Sequence, residues 1–245
     1  MNPKIFLAGA SGAIGRRLAL LLVGAGYEVF GTTRSSAKAS ELEAMGVKPI
    51  VIDVFDGPAL SLVLTTVQPE VVIHQLTDLP RGLPPSQMSE ASARNARMRR
   101  EGTANLVAAA RAASARRLIA QSIAWAYAPG AQPHLESDPL DHDAEGTRRI
   151  SVQGVAALEQ LTLNSPPIEG LVLRYGQLYG PATGNDHPNG SAPVHVDAAA
   201  QAALLAITHG QPGIYNIAED TGFVSSAKAK KDLGWRDDFR IAELS

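Results

Sequence analysis

No cysteine occurs among the 245 residues. That excludes disulfides, thiolate zinc sites and cysteine nucleophiles together, and a reducing compartment suits such a chain. Aromatic residues are scarce, at 5%. Charge of one sign is not in excess: 22 Lys and Arg stand against 24 Asp and Glu, a formal net charge of -2. Nothing general therefore draws the chain to nucleic acid or to an anionic membrane. Long apolar runs are missing, since the longest, residues 18–23, is far too short to span a bilayer. Met1-Asn2-Pro3-Lys4 leads directly into Ile5-Phe6-Leu7-Ala8, with no room for a secretory signal and its cleavage site. The expectation is a soluble cytoplasmic protein with a core large enough to need no metal or disulfide staple.

What is present is alternation. Short β-branched runs at 4–8, 28–33, 47–52, 71–74, 117–121 and 170–174 read as buried strands, and between them lie helical patterns at 12–25, 36–45, 59–67, 87–113 and 149–163. Strands alternating with helices imply a parallel sheet covered on both faces, and right-handed crossovers favour the doubly wound Rossmann arrangement. After Arg174 the pattern loosens. Residues 180–193 read as a Gly/Pro/Asn-rich loop, 197–208 as an alanine-rich helix, 213–217 as a strand and 226–233 as a last helix. The division that follows is a Rossmann domain over residues 1–178 and a small cap over 179–245, laid on the sheet edge.

Gly9-Ala10-Ser11-Gly12-Ala13-Ile14-Gly15 joins the first strand to the first helix. Glycine permits the sharp turn, small residues admit a pyrophosphate close to the backbone, and the free N–H groups opening the helix point at the anion. At the end of the second strand, where the adenosine ribose of a dinucleotide lies, an acid would select the free 2′-hydroxyl and an arginine a 2′-phosphate. Here the residues are Thr33-Arg34-Ser35. Arg34 offers a planar fork suited to phosphate, so NADP is expected in preference to NAD.

The Gly-x-x-Gly-x-x-Gly spacing resembles the short-chain dehydrogenase/reductase superfamily. Val71-Val72-Ile73-His74-Gln75-Leu76-Thr77, Gly102-Thr103-Ala104-Asn105-Leu106, Leu173-Arg174-Tyr175-Gly176-Gln177-Leu178-Tyr179-Gly180-Pro181, Val194-His195-Val196-Asp197 and Leu233-Gly234-Trp235 narrow the resemblance to its extended and atypical branch, the NAD-dependent epimerase/dehydratase family. The resemblance covers almost the whole chain. It implies cofactor contacts from Gly9, Ser11, Gly12, Ala13, Ile14 and Gly15, from Arg34, from Asp53 and Val54 at the adenine, and from Leu76, Thr77, Arg99, Gln121 and Tyr175. For Asp53 a cap or turn role is the competing reading, and His74 reads as structural, beneath the cofactor.

That superfamily works through a tyrosine and a lysine four residues later, on one helix face, whose ammonium lowers the phenol pKa for proton transfer. None of the five tyrosines has such a lysine, and no lysine at all lies between Lys48 and Lys228. Aligned on Ala156-Ala157-Leu158-Glu159-Gln160-Leu161, the tyrosine position is Ser151 and the lysine position Val155, while the asparagine before the Gly-Thr pair is Arg99. The family's serine survives as Ser122. Three readings stay open: an enzyme acting through Ser122, Tyr127 and Tyr175 on a small carbonyl or sugar-type substrate; a non-catalytic NADP-binding sensor; or a structural dinucleotide fold that presents an interaction surface.

Of the eight arginines between Arg81 and Arg117, Arg94, Arg97, Arg99 and Arg100 fall around a helix and not along one stripe, and interleaved aromatics are absent, so a nucleic-acid partner is not expected. His134, Glu136, Asp138, Asp141, His142 and Asp143 match no metal spacing and read as a solvated loop near the substrate entrance. By resemblance the long helices around 94–113 and 152–163 make a homodimer, and the C-terminal segments that usually build a substrate pocket are shortened.

Overall fold

A computed structural model describes residues 2–80 and 84–242; Arg81, the first of the arginines counted above, lies outside the described residues. The described strands are β1 (Lys4–Ala8), β2 (Glu28–Thr33), β3 (Lys48–Val51), β4 (Val71–His74), β5 (Arg117–Ile123), β6 (Glu169–Tyr175), β7 (Gln177–Tyr179), β8 (Pro193–His195) and β9 (Gly213–Ile217). The α-helices are α1 (Ala13–Gly24), α2 (Ser36–Ala44), α3 (Gly57–Val67), α4 (Met88–Arg97), α5 (Thr103–Ala112), α6 (Gly146–Leu163), α7 (Val196–Leu205) and α8 (Ala227–Leu233).

Seven strands form one sheet in the order β3-β2-β1-β4-β5-β6-β9, every pair parallel. The β1 sequence shows why this sheet needs cover on both sides. Ile5 and Leu7 enter one core with Leu18 and Leu22 of α1, while Phe6 and Ala8 enter the other with Leu60 and Leu64 of α3 and Leu106 of α5. Alternate residues of a strand point to opposite faces, and all four are apolar, as in sheets buried twice over. From β1 the chain proceeds outward to β2 and β3, then returns to place β4 on β1's other edge. This is the Rossmann strand order, and its reversal between β1 and β4 opens a crevice at the carboxyl ends of the strands.

Two features differ from the sequence reading. The helix expected over 87–113 is continuous but not uniform: a π-helical turn, Met98–Gly102, separates α4 from α5. The C-terminal region does more than lie over the sheet edge. Gly213–Ile217 pairs with β6 as the seventh strand, and α7 packs against α1, its Ala198, Ala199, Ala200, Ala202 and Ala203 all fully buried. Alanines bring the two helix axes close, which a sequence scan reads only as composition. The indole of Trp235 donates to Ala198 O at 2.8 Å and fastens the chain beyond α8 to the same helix. A small parallel pair, β7 with β8, closes the loop at 180–193. No helix among the described residues is long and apolar enough to cross a membrane.

At the opposite end of the sheet the buried Arg117 satisfies the carbonyls that α7 leaves open. It donates to Ala206 O at 2.7 Å, His209 O at 2.9 Å and Gly210 O at 3.3 Å, and pairs with Glu169 at 2.7 Å. Removing one partner of such a set strands the others without water. Arg117→Met is expected to lower unfolding free energy by about 2–4 kcal/mol, read as a lower urea midpoint; a shift under about 0.5 kcal/mol would remove Arg117 from the account of how the C-terminal strand is held.

Candidate functional site

The crevice is a groove of about 800 Å³ running along the carboxyl edge of the sheet, within the usual range of ligand pockets. Its floor is the β1–α1 turn. Gly9 has φ +86°, and a Cβ there would lie 2.8 Å from Gln75 O. At Gly15 a Cβ would lie 2.1 Å from Gly9 O, so any side chain would push the helix off the turn. Gly12 caps α1 with extended backbone and no side chain bonds to the first turn, which leaves the helix's opening N–H groups for an anion. Ser11, Gly12 and Ala13 line the groove; Ile14 is buried in the core beneath it. Thr32 Oγ1 accepts from Gly9 N–H at 3.0 Å and fixes the turn to β2. These residues fit a pyrophosphate: small, backbone-exposed and without a competing cap.

One end of the groove is cationic. Arg34 and Lys38 line it together with Arg16, which is itself ion-paired with Glu41. Arg34 is 59% exposed in its side chain and 3.9 Å from Asp78, a loose contact that leaves its fork free. Ser35 caps α2 by accepting from Lys38 N–H, which places Lys38 on the first turn of that helix. The sequence reading identified Arg34 but missed Arg16 and Lys38, because neither lies in a recognised motif; helix geometry brings them together. Asp53 does not line the groove. Its Oδ1 accepts from Phe55 N–H at 3.0 Å, the turn role, whereas Val54 does line it.

Toward the other end the wall is neutral and hydrogen-bonding. Gln75, Leu76, Thr77, Gln121, Ser122 and Tyr175 line it. His74, directly below, is fully buried and absent from the wall: its Nδ1 accepts from Leu76 N–H at 3.1 Å, so Nε2–H is the donor to Thr103 Oγ1 at 3.0 Å. Burial, with the charge of Arg99 adding to it, drops the His74 pKa to about 4. Tyr175 is fully buried, its phenol oxygen 3.4 Å from Gln75 Nε2, and burial raises its pKa well above the ordinary range. Gln75 Oε1 is the one buried side-chain polar atom without a partner among the described residues.

Behind Ser122 lies a buried ion pair. Arg174 grips Glu159 with Nε at 2.8 Å and Nη2 at 2.7 Å, and Ser122 Oγ donates to Glu159 Oε1 at 2.7 Å. Burial alone would lower the Arg174 pKa, but the hydrogen bonds and charge of Glu159 raise it above its usual value. Ser122 has one proton and spends it on a carboxylate. Toward the groove it offers lone pairs, not an acid.

Tyr127, grouped with Ser122 and Tyr175 on the sequence evidence, is not brought to the groove. It is 3% exposed, its hydroxyl donates to Asn216 Oδ1 at 2.6 Å, and its ring lies under Arg174 and stacks on His134. Burial raises its pKa. The segment around His134 is a loop with Leu135, His142 and Asp143 exposed, but it is anchored: His134 is 3% exposed, and Glu136 Oε1 accepts from Asn216 N–H at 2.9 Å. The stretch is packed onto β9, a strand distant in sequence.

Comparison with known proteins agrees with this geometry. Residues 5–193 match the model of the NAD dependent epimerase/dehydratase family. The chain is 41% identical over 240 residues to the 3-diazoavenalumate denitrifying reductase of a Streptomyces species, covering 89% of this chain and 76% of that protein. Among solved structures, it is similar to the Thermus thermophilus UDP-glucose 4-epimerase in complex with NAD, with a TM-score of 0.77, 18% identity and coverage of 97% and 95% of the two chains. The Bordetella bronchiseptica enzyme WbmG in complex with NAD gives a TM-score of 0.74 at 18% identity, covering 98% and 91%. At such identity these structures speak for the fold alone.

Since the Tyr127 hydroxyl is a packing bond, Tyr127→Phe is expected to cost about 1–2 kcal/mol of stability and to leave nicotinamide nucleotide affinity unchanged. Denaturant titration and calorimetry read the two quantities; a loss of nucleotide binding with stability intact would return Tyr127 to the site.

Proposed function

The chain belongs to the NAD dependent epimerase/dehydratase family, a family of enzymes, and from that premise we propose that it is an NADP-dependent reductase delivering hydride to a small electrophile without a proton relay. The observation that carries the reading is the wall at the neutral end of the groove. Ser122 is committed to Glu159, Tyr175 is held as a phenol by burial, and Lys38 at the opposite, cationic end is the one lysine on the groove among the described residues. When bound, the nicotinamide supplies a hydride. The protein's part is to hold the ring, orient the acceptor and exclude water.

This chemistry separates substrate classes. A carbonyl or a sugar ketone that takes hydride becomes an alkoxide and needs a proton from a positioned acid; here Ser122 has directed its hydroxyl to Glu159 and burial makes the Tyr175 phenol a weaker acid than usual. A diazonium carbon that takes hydride forms a C–H bond and expels dinitrogen with the electron pair of the broken C–N bond, and no proton enters. The relative at 41% identity is by name a denitrifying reductase of a diazo compound. A diazonium compound, whose carbon needs no proton, is therefore the substrate class proposed here, ahead of the carbonyl and sugar classes, and catalysis ahead of a sensor role. Preference for NADP rests on Arg34 and Lys38 and on the absence of any carboxylate at the end of β2. A homodimer through the helix that runs from the end of α4 through α5, together with α6, completes the proposal, and sedimentation as a dimer is the result that supports it.

Two outcomes are expected. Replacing Arg34 and Lys38 together with alanine weakens NADPH binding by about tenfold to a hundredfold, the worth of one or two charge-assisted bonds, and leaves NADH binding unaltered; equal loss for both nucleotides overturns the NADP assignment. Single-turnover hydride transfer to an aryldiazonium salt stays within about threefold between about pH 6 and 9, because His74, at about 4, is already neutral there and Tyr175, raised, is still protonated. A rate that falls tenfold per pH unit across that window would require an acid that the wall does not show.

A further inference from the structure

We propose that Arg99 anchors an anionic group of the substrate, a carboxylate, at the hydride-transfer end of the groove. The inference deepens the reductase reading and rests on it.

Arg99 lies in the π-helical turn between α4 and α5. One extra residue in that turn rotates the following side chains relative to an α-helix, and such turns recur at functional sites. Here the rotation carries an arginine inward: Arg99 is 5% exposed and lines the groove. Room for it comes from Gly154 on α6. A Cβ at that position would lie 3.0 Å from Ala96 Cα and 3.4 Å from Arg99 Cδ, so a larger residue would force α6 off the arginine.

The guanidinium is under-used. Of its five N–H donors, one reaches a protein acceptor among the described residues, Ser151 O at a long 3.4 Å. No carboxylate lies within 4.0 Å of it among those residues. Glu159 is near enough for its charge to be felt by Arg99, but its oxygens are already taken by Arg174 and Ser122. Glu159 and Arg174 cancel, and Arg99 remains as uncompensated positive charge. No Asp or Glu lines the groove among the described residues. Burial brings the Arg99 pKa down to about 10, which keeps the group cationic at neutrality.

The guanidinium nitrogens that no protein group takes open onto the groove, where a ligand anion can complete them. The anionic parts of a bound dinucleotide have their own partners elsewhere: the pyrophosphate at the β1–α1 turn, a 2′-phosphate at Arg34 and Lys38. Those lie at β1 and β2, whereas Arg99 stands over β4 and against α6, on the far side of the switch point. The second anion must come from the substrate. A carboxylate matches the planar fork with two parallel hydrogen bonds, and Ile123 and Trp125, which line the groove and stand near Ser151, suit an apolar, planar body attached to it.

The test uses the whole protein loaded with NADP+, with cinnamate and its neutral amide, cinnamamide, as probes followed by calorimetry. Wild type is expected to bind the acid at least tenfold more tightly than the amide. Arg99→Gln is expected to abolish that preference while NADPH affinity stays within twofold, and Arg99→Lys, which keeps charge but not the fork, to retain part of it. The proposal is overturned if wild type shows no preference, if Arg99→Gln preserves one, or if Arg99→Gln and Arg99→Lys both weaken NADPH as much as cinnamate, which would make Arg99 a cofactor contact. Should Arg99→Gln not fold, Arg99→Lys decides alone: an undiminished preference for the acid overturns the fork, and a reduced one supports it. Failure of the wild type to bind any nicotinamide nucleotide would instead strike the reductase reading, since acid against amide can be compared in its absence.

Discussion

The contact between Gly9 O and the backbone of Gly15 governs everything built on this sheet. A strand and a helix meet there with no space for one methyl group. Because they meet so closely, the first turn of α1 stands at the mouth of the crevice between β1 and β4, with its N–H groups uncapped. Loosen that approach and the helix dipole no longer points at a ligand, the groove loses its floor, and the residues gathered around it from the other elements have nothing to surround.

Charge is distributed along the groove with a chemical consequence. Positive side chains collect at the β2 end, on three different turns, and once more at Arg99; the stretch between them is polar but neutral. The titratable groups beneath or within that stretch are pushed away from neutrality by the same cause, loss of water. Imidazole is driven to the neutral form and phenol is kept protonated. A site of this kind orients and shields, and its chemistry suits an acceptor that resolves its own charge on taking hydride. The buried Arg174–Glu159 pair fits the same account, because it fixes the direction of the Ser122 hydroxyl away from the groove.

Much of the fold was legible because the sheet is buried on both faces. Short β-branched apolar runs such as Val71-Val72-Ile73, alternating with helical patterns, read as interior strands, and glycine at 9, 12 and 15 marks a phosphate turn because a strand precedes it and a helix follows. The π-helical turn at Met98–Gly102 was not legible, since the apolar spacing across it breaks no rule that a long helix must obey. Packing of α7 on α1 was likewise hidden: consecutive alanines carry no directional period, so the face they bury is set by the neighbour. Tyr127 illustrates the opposite error. Its position five residues beyond Ser122 suggested the groove, but the aromatic ring found a better partner in His134, a residue whose closeness depends on the loop folding back onto β9.

By itself the sequence determined the alternation of strands and helices, the place of the phosphate turn, the basic residue at the end of β2 and the want of a lysine beside any tyrosine. Each is a property of residues near one another in the chain, where steric and hydrogen-bonding rules act directly. Only the tertiary structure decided which side chains face the groove: that Arg16 and Lys38 join Arg34, that Asp53 turns to its own backbone, that Ser122 directs its hydroxyl to Glu159, and that Arg99 faces the groove nearly unpartnered. These depend on distances between elements separated by tens of residues, and on which polar groups are left without water once the layers close.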